Sequence, residues 1–349
     1  MDAQKSTASS EFDLYLAQCR DLVIEEIKDI VPADERYGPV LYDLMLEYPL
    51  RRAKGFRPAL CMATCRALGG HLEQTLRTAA VLEMYHNAFL IHDDVEDGSL
   101  KRRGGPTLHQ TYGVPIAVNV GDAMLALSLQ PLLDNMALLG LGKALRILQM
   151  VAEMARQSAE GQALELFWIR QGRWGLEDDD YRHLVHKKTG WYTFVAPILI
   201  GAIIAGVEDE RQETLRQLCW DLGIAFQITD DVLNLVANEN AYGKEINGDL
   251  WEGKHTLILM HAMRQATDAQ RAQHGATLRK ARHEKTPQEV ADLRALIDDK
   301  GSIGYAQEIA AAHAKAAAEH LRATADWMPP SIHRAFIQEL VQRVTSRLA

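Results

Sequence analysis

The chain has 349 residues, 47% of them hydrophobic and 24% charged, with a formal net charge of −9. This length suits one large domain or two small ones, and no Pro/Gly/Ser-rich linker divides it, so we expect one. The negative balance argues against general nucleic-acid binding and against anionic membrane surfaces, so local basic clusters are read as sites.

Met1 to Ser10 is polar and reads as a disordered tail, not a signal peptide; residues 1–11 are expected to precede a domain over 12–349. Helix formers dominate and no sustained alternating pattern appears, so the fold class is all-α. Phe12, Leu16, Leu22, Val23 and Ile27 give Glu11 to Ile30 an apolar face at helical spacing, and Pro32 ends it. A short helix over Val40 to Tyr48 follows. Cys19, Cys61, Cys65 and Cys219 form no CxxC or zinc pattern.

Arg51-Arg52-Ala53-Lys54-Gly55-Phe56-Arg57-Pro58 stands before a helix over Ala59 to Leu68. Basic side chains and free amides at a helix start make an anion site. The next apolar run begins near Ala79 and closes in His92-Asp93-Asp94-Val95-Glu96-Asp97. On a helix Asp93 and Asp97 share a face, with Asp94 beside them. Such a cluster, if buried, needs a cation. Mg²⁺ suits it, because that ion takes one or two carboxylates together with substrate phosphate oxygens. Alone, the cluster reads equally as a solvated acidic helix end. Arg102 and Arg103 then precede a glycine turn and can address two neighbouring anions.

Leu145 to Phe167 is a long helix with Gln162 and Glu165 near its end. Glu177 to Asp180 reads as an N-cap and first turn favoured by the helix dipole, not as a metal site. The helix it opens runs to Lys187-Lys188-Thr189-Gly190, where a break would let Lys188 and Thr189 reach a site. The longest apolar run, Phe194 to Gly206, contains Pro197 and is too short to span a bilayer, so no transmembrane segment and a cytoplasmic location are expected. A second apolar helix, from Gly223, ends in Asp230-Asp231, with Asn234 at the step where the first cluster has Asp97. Glycines flank Lys244 and Lys254, letting backbone close over a ligand. Gly301 opens an Ala-rich helix to about Leu321, and Ile332 to Leu348 is one more amphipathic helix.

Taken in order, the two acidic motifs and the basic segments resemble the trans-isoprenyl diphosphate synthases, or polyprenyl synthetases, from about Leu50 to about Leu321. The resemblance implies an isoprenoid synthase helical bundle around a deep central cavity, and a homodimer. It implies head-to-tail condensation of isopentenyl diphosphate with an allylic diphosphate, with about three Mg²⁺ on Asp93, Asp94, Asp97, Asp230 and Asp231. Lys54, Arg57, His86 and Arg103 would hold isopentenyl diphosphate. Arg102, Lys188, Thr189, Gln227, Lys244 and Lys254 would address the allylic diphosphate, and Arg102, Lys188 and Lys254 would steady the leaving group. The chain departs from the family pattern at Arg52 and Ala53 (usually glycines), at Asn234, at Asn247-Gly248 and at Ile258. An aromatic five residues before the first motif tends to stop growth at C15 in this family. Here that residue is Ala88, with Phe89 about 6 Å below Asp93 along the helix and Tyr85 a turn further. We therefore expect geranylgeranyl diphosphate (C20), with farnesyl diphosphate next. Two rivals remain: a class I terpene cyclase, for which Lys54, Arg57 and Arg103 would have no work, and a non-catalytic subunit, which would typically have lost motif aspartates.

Overall fold

The structure, a computed structural model, describes residues 10–51, 54–236 and 246–346. The part of the expected tail before Ser10, and Lys244, lie outside these residues. Among the described residues helices joined by short loops carry the fold, and the strands are confined to one short hairpin, β1 (Lys101–Arg102) with β2 (Gly105–Pro106). The helices are α1 (Glu11–Ile30), α2 (Tyr42–Leu50), α3 (Phe56–Ala67), α4 (Leu76–Glu96), α5 (Leu108–Tyr112), α6 (Val114–Leu127), α7 (Leu129–Leu139), α8 (Leu141–Gln171) and α9 (Asp178–Val185). A π-helical segment, His186–Val195, runs straight into α10 (Ala196–Ala205). Then come α11 (Asp209–Val236), α12 (Gly248–Glu252), α13 (Leu257–Gln265), α14 (Asp268–Leu278), α15 (Pro287–Asp299), α16 (Ser302–Ala323) and α17 (Ile332–Ser346). Ser10 caps α1, its hydroxyl accepting from the Asp13 N–H at 3.2 Å, so helix begins inside the expected tail.

Small residues set the closest packing. Ala306, Ala310, Ala314 and Ala317 repeat down one face of α16 and are fully buried; this ridge lets α16 lie along α11, the most extensive helix pairing of the fold. Gly161 of α8 meets the π-helical segment backbone to backbone, and a Cβ there would stand 2.4 Å from the Lys188 nitrogen. That approach places Glu165, one turn later, against the Lys188 ammonium.

Two apolar cores, around α3–α4–α10 and around α11–α13–α16, flank these contacts. Two helical stretches, Val114–Leu139 and Asp178–Ala205, are long and apolar enough to cross a membrane by length and composition. The second is mostly packed inside the bundle, whereas much of the first is exposed.

Candidate active site

The acidic end of α4 lies under a basic roof. Arg102, on the hairpin, donates through Nε (2.9 Å) and Nη2 to Asp94 Oδ1. The Tyr48 hydroxyl of α2 donates to Asp94 Oδ2 at 2.6 Å. Both Asp94 oxygens are therefore taken, and its side chain is only 1% exposed. Sequence reasoning put Asp94 among the metal ligands. In the structure it turns into the bundle and fixes Arg102. Adjacent helix residues point about 100° apart, so Asp93 faces the other way, 3.4 Å from the Lys188 ammonium and 3.9 Å from Arg102. Asp97 makes no side-chain hydrogen bond or ion pair within the described residues.

The end of α11 repeats this arrangement. Asp231 is 5% exposed, and its two oxygens accept from Gln227 Nε2 and the Tyr181 hydroxyl, each at 2.8 Å. Asp230 is only half-buried. Asn234 is buried and holds the segment that follows: its side-chain oxygen accepts the Asp249 N–H at 3.2 Å and its backbone oxygen the Asn247 N–H at 2.9 Å. Asn234 thus anchors the loop, through acceptors that an aspartate would also offer.

Cations tie the two ends together. The π-helical segment carries Lys188 to Asp93 and to buried Glu165. Burial works against the Lys188 charge, but Glu165 and Asp93 outweigh it and hold the ammonium protonated. Lys254 sits 3.8 Å from Asp249 and 3.9 Å from Glu252. Its field also reaches Asp93, Asp97, Glu165 and Asp231, so both acidic ends share it. Burial raises the Asp93 carboxyl, yet Lys188, Lys254 and Arg102 bring it below the usual range. Asp97 goes the other way: burial, then Asp93, push it up to about 8. Burial and Asp249 push Asp231 up to about 8.

A second basic cluster lies deeper. Arg57, in the first turn of α3, donates to Thr193 Oγ1 at 2.8 Å and lies 4.5 Å over the Tyr192 ring. His86 stacks on the same ring at 5.8 Å. Arg103 donates to the Tyr48 carbonyl (2.6 Å) and the Asn87 side-chain oxygen (3.0 Å), with Nη2 3.4 Å from His86 Nε2. Lys54 is exposed just ahead of α3, 6.0 Å from the Phe56 ring. Thr189 is buried in the π-helical segment. The residues expected to hold two separate anions thus divide into two groups: Arg102, Lys188 and Lys254 at the acidic mouth, and Arg57, His86 and Arg103 behind it.

Below the mouth, three aromatic rings pack against one another. Tyr85 and Phe89 meet edge to face at 5.9 Å, and Phe89 meets Tyr192 at 5.7 Å. Ala88 is fully buried. A groove of about 620 Å³ lies elsewhere, on the flank of α8, α10 and α11 beside Trp191.

A family model described as polyprenyl synthetase matches residues 39–297. The chain belongs to the polyprenyl synthetase family. A short chain isoprenyl diphosphate synthase of Methanocaldococcus jannaschii is 32% identical over 256 residues, 72% of this chain and 73% of that one. A geranylgeranyl diphosphate synthase of Saccharolobus solfataricus is 30% identical over 320 residues, 90% of this chain and 92% of that one. The crystal structure of a polyprenyl synthase from Caulobacter crescentus CB15, complexed with calcium and isoprenyl diphosphate, matches with a TM-score of 0.84 at 28% identity, covering 99% of this chain and 100% of that one. As a polyprenyl synthetase the chain is a divalent-metal-dependent prenyltransferase that makes short-chain prenyl diphosphates.

Among the described residues no three metal-ligating side chains converge on one point. That fits an ion held by one or two carboxylates plus phosphate oxygens better than a closed protein cage. The donor set is suitable: oxygen only, with Asp97 making no hydrogen bond or ion pair among the described residues and its carboxyl raised by burial and then by Asp93.

Sequence reasoning missed Tyr48, Tyr181 and Tyr192. The first two lie 46 and 50 residues from the aspartates they bind. Tyr192 did carry a local signal, standing three residues after Thr189.

Proposed function

We propose that this polyprenyl synthetase condenses isopentenyl diphosphate head-to-tail with an allylic diphosphate, its main product being geranylgeranyl diphosphate. The observation that carries this reading is the presence of two basic groups where a cyclase needs one. Arg57, His86 and Arg103 suit the diphosphate of isopentenyl diphosphate, and Arg102, Lys188 and Lys254 suit that of the allylic substrate. Lys54 and Lys244 are assigned to the same two anions, and Gln227 and Thr189 to the allylic side.

Asp93, Asp97 and Asp230 would hold Mg²⁺, about three ions with the diphosphate oxygens. When bound, the metal neutralises charge on that diphosphate. Arg102, Lys188 and Lys254 stabilise the negative charge that gathers as the allylic C–O bond breaks and its electron pair leaves with diphosphate. The second clamp holds the double bond of isopentenyl diphosphate toward the allylic cation. A C–C bond forms, and proton loss restores a double bond. The aromatic floor of Tyr85, Phe89 and Tyr192 limits growth, and Ala88 leaves room beside it.

The exposed apolar side chains Leu129, Leu133 and Met136 share one face of α7 by helical spacing. A patch of this kind supports a homodimer, and a cytoplasmic dimer fits the chain.

The test is product analysis with Mg²⁺, isopentenyl diphosphate and, in separate tubes, dimethylallyl, geranyl and farnesyl diphosphate, each repeated with a chelator. A linear C20 diphosphate, abolished by chelation and restored by Mg²⁺, supports the reading. A C15 stop would show that Phe89 and Tyr192 already close the pocket. An allylic diphosphate converted to a hydrocarbon or alcohol, with isopentenyl diphosphate untouched, would identify a cyclase and overturn it.

A further inference from the structure

Glu83, about one turn below His86 and Asn87 on α4, has no place in the chemistry above. It is 2% exposed, and Asn87 beside it is fully buried. The Asn87 amide nitrogen donates to the Glu83 carbonyl at 2.7 Å and to Glu83 Oε1 at 3.2 Å. Its oxygen accepts from Arg103 Nη1 at 3.0 Å. The chemistry of the partners fixes this amide's orientation. A guanidinium only donates and an ionised carboxylate only accepts, so the NH₂ must face Glu83 and the oxygen must face Arg103. A flipped amide would set two donors against each other.

Arg103 depends on such outside support. Its backbone lies at φ 51°, the left-handed region that a side chain rarely adopts. The hairpin turn points it inward, and Tyr48, Asn87 and His86 fix its guanidinium. Arg103 can only donate to His86 Nε2, so Nε2 is the acceptor and Nδ1 carries the imidazole proton. That Nδ1–H is buried with no partner, and so is Arg57 Nε. Two buried donors lacking acceptors, beside a fixed guanidinium, form a built receptor for an anion.

We infer that Glu83 and Asn87 are positioning residues for the isopentenyl diphosphate clamp: Glu83 locks the Asn87 amide, and Asn87 locks Arg103. The inference rests on the function proposed above. Glu83 makes no close ion pair with Arg57 or Arg103, although both arginines favour its charged form through space; the amide is its one hydrogen-bonded link to the clamp among the described residues.

The test compares Glu83→Ala with Glu83→Gln in the full chain. Both remove the negative charge and keep the backbone carbonyl of residue 83, but only Gln keeps a side-chain oxygen to accept from Asn87. Glu83→Ala is expected to raise KM for isopentenyl diphosphate about tenfold while leaving KM for the allylic diphosphate within twofold. Glu83→Gln is expected to restore most of that loss, and Asn87→Leu to reproduce it. If both Glu83 variants instead tighten isopentenyl diphosphate binding alike, the residue is a counter-charge and the inference fails. If both KM values and the Tm move together, the role is general packing and it fails as well. Wild-type protein that never consumes isopentenyl diphosphate would sink the function itself, a result separate from any difference among the variants.

Discussion

Asp94→Asn separates a residue that orients from one that binds metal. In the structure Asp94 accepts two N–H groups from Arg102 and the hydroxyl of Tyr48, and is sealed from solvent. Removing one partner of a buried ion pair costs about 3–5 kcal/mol. Asn keeps one acceptor, the Arg102 side chain is still 18% exposed, and Asp93 lies 3.9 Å away, so the lower end, about 3 kcal/mol, is expected. Tyr48→Phe removes a hydrogen bond to a charged group and the acceptor of the buried Leu108 N–H, and should cost about 3 kcal/mol. The two changes strike one network, so the double variant should lose less than the sum. Denaturant midpoints give these values, and the Mg²⁺ concentration for half-maximal activity gives the second readout. Asp94→Asn should lower kcat by misplacing Arg102 while that concentration stays within twofold, whereas Asp93→Asn should raise it about tenfold. Unchanged stability together with a tenfold greater Mg²⁺ requirement for Asp94→Asn would refute the reasoning and return Asp94 to the metal.

Phe89→Ala and Tyr192→Ala open the aromatic floor, and each should shift the product distribution beyond the wild-type length, read by chromatography of the dephosphorylated prenols. His255 is 1% exposed and stacked 4.0 Å from Trp174, and burial lowers it from its ordinary 6.5 to about 4. The unfolded chain therefore binds the proton first as pH falls. Stability from a neutral His255 is present above pH 6.5 and lost toward pH 4, by about 3 kcal/mol at most. His255→Gln should flatten that part of the stability curve. Leu133→Glu with Met136→Glu on the exposed α7 face should turn a dimer into a monomer in sedimentation, with helicity unchanged; a wild-type monomer would dismiss the dimer outright.

The helices and both acidic ends were legible because apolar periodicity and adjacent carboxylates are local patterns. The division of labour within each aspartate pair was legible in part: neighbours on a helix cannot share a face, so one of Asp93 and Asp94 had to turn inward. Which one turned depended on Tyr48, and for the second pair on Tyr181, both distant in sequence. The break expected near Lys188 exists, but as a π-helical segment set by the close approach of Gly161, a tertiary effect that no local pattern announces. Tyr192 escaped notice for a similar reason, because it meets Phe89 from a different helix.

The inward turn of Asp94 and Asp231 also bears on the resting protein. With two carboxylates committed to tyrosines, and burial and Asp93 favouring the protonated form of Asp97, the mouth by itself offers a divalent ion few oxygens. Divalent ions gain a full set of oxygens only when a diphosphate brings its own, and their arrival expels that proton. Substrate loading should therefore acidify an unbuffered solution, and the idle enzyme draws little on the metal around it.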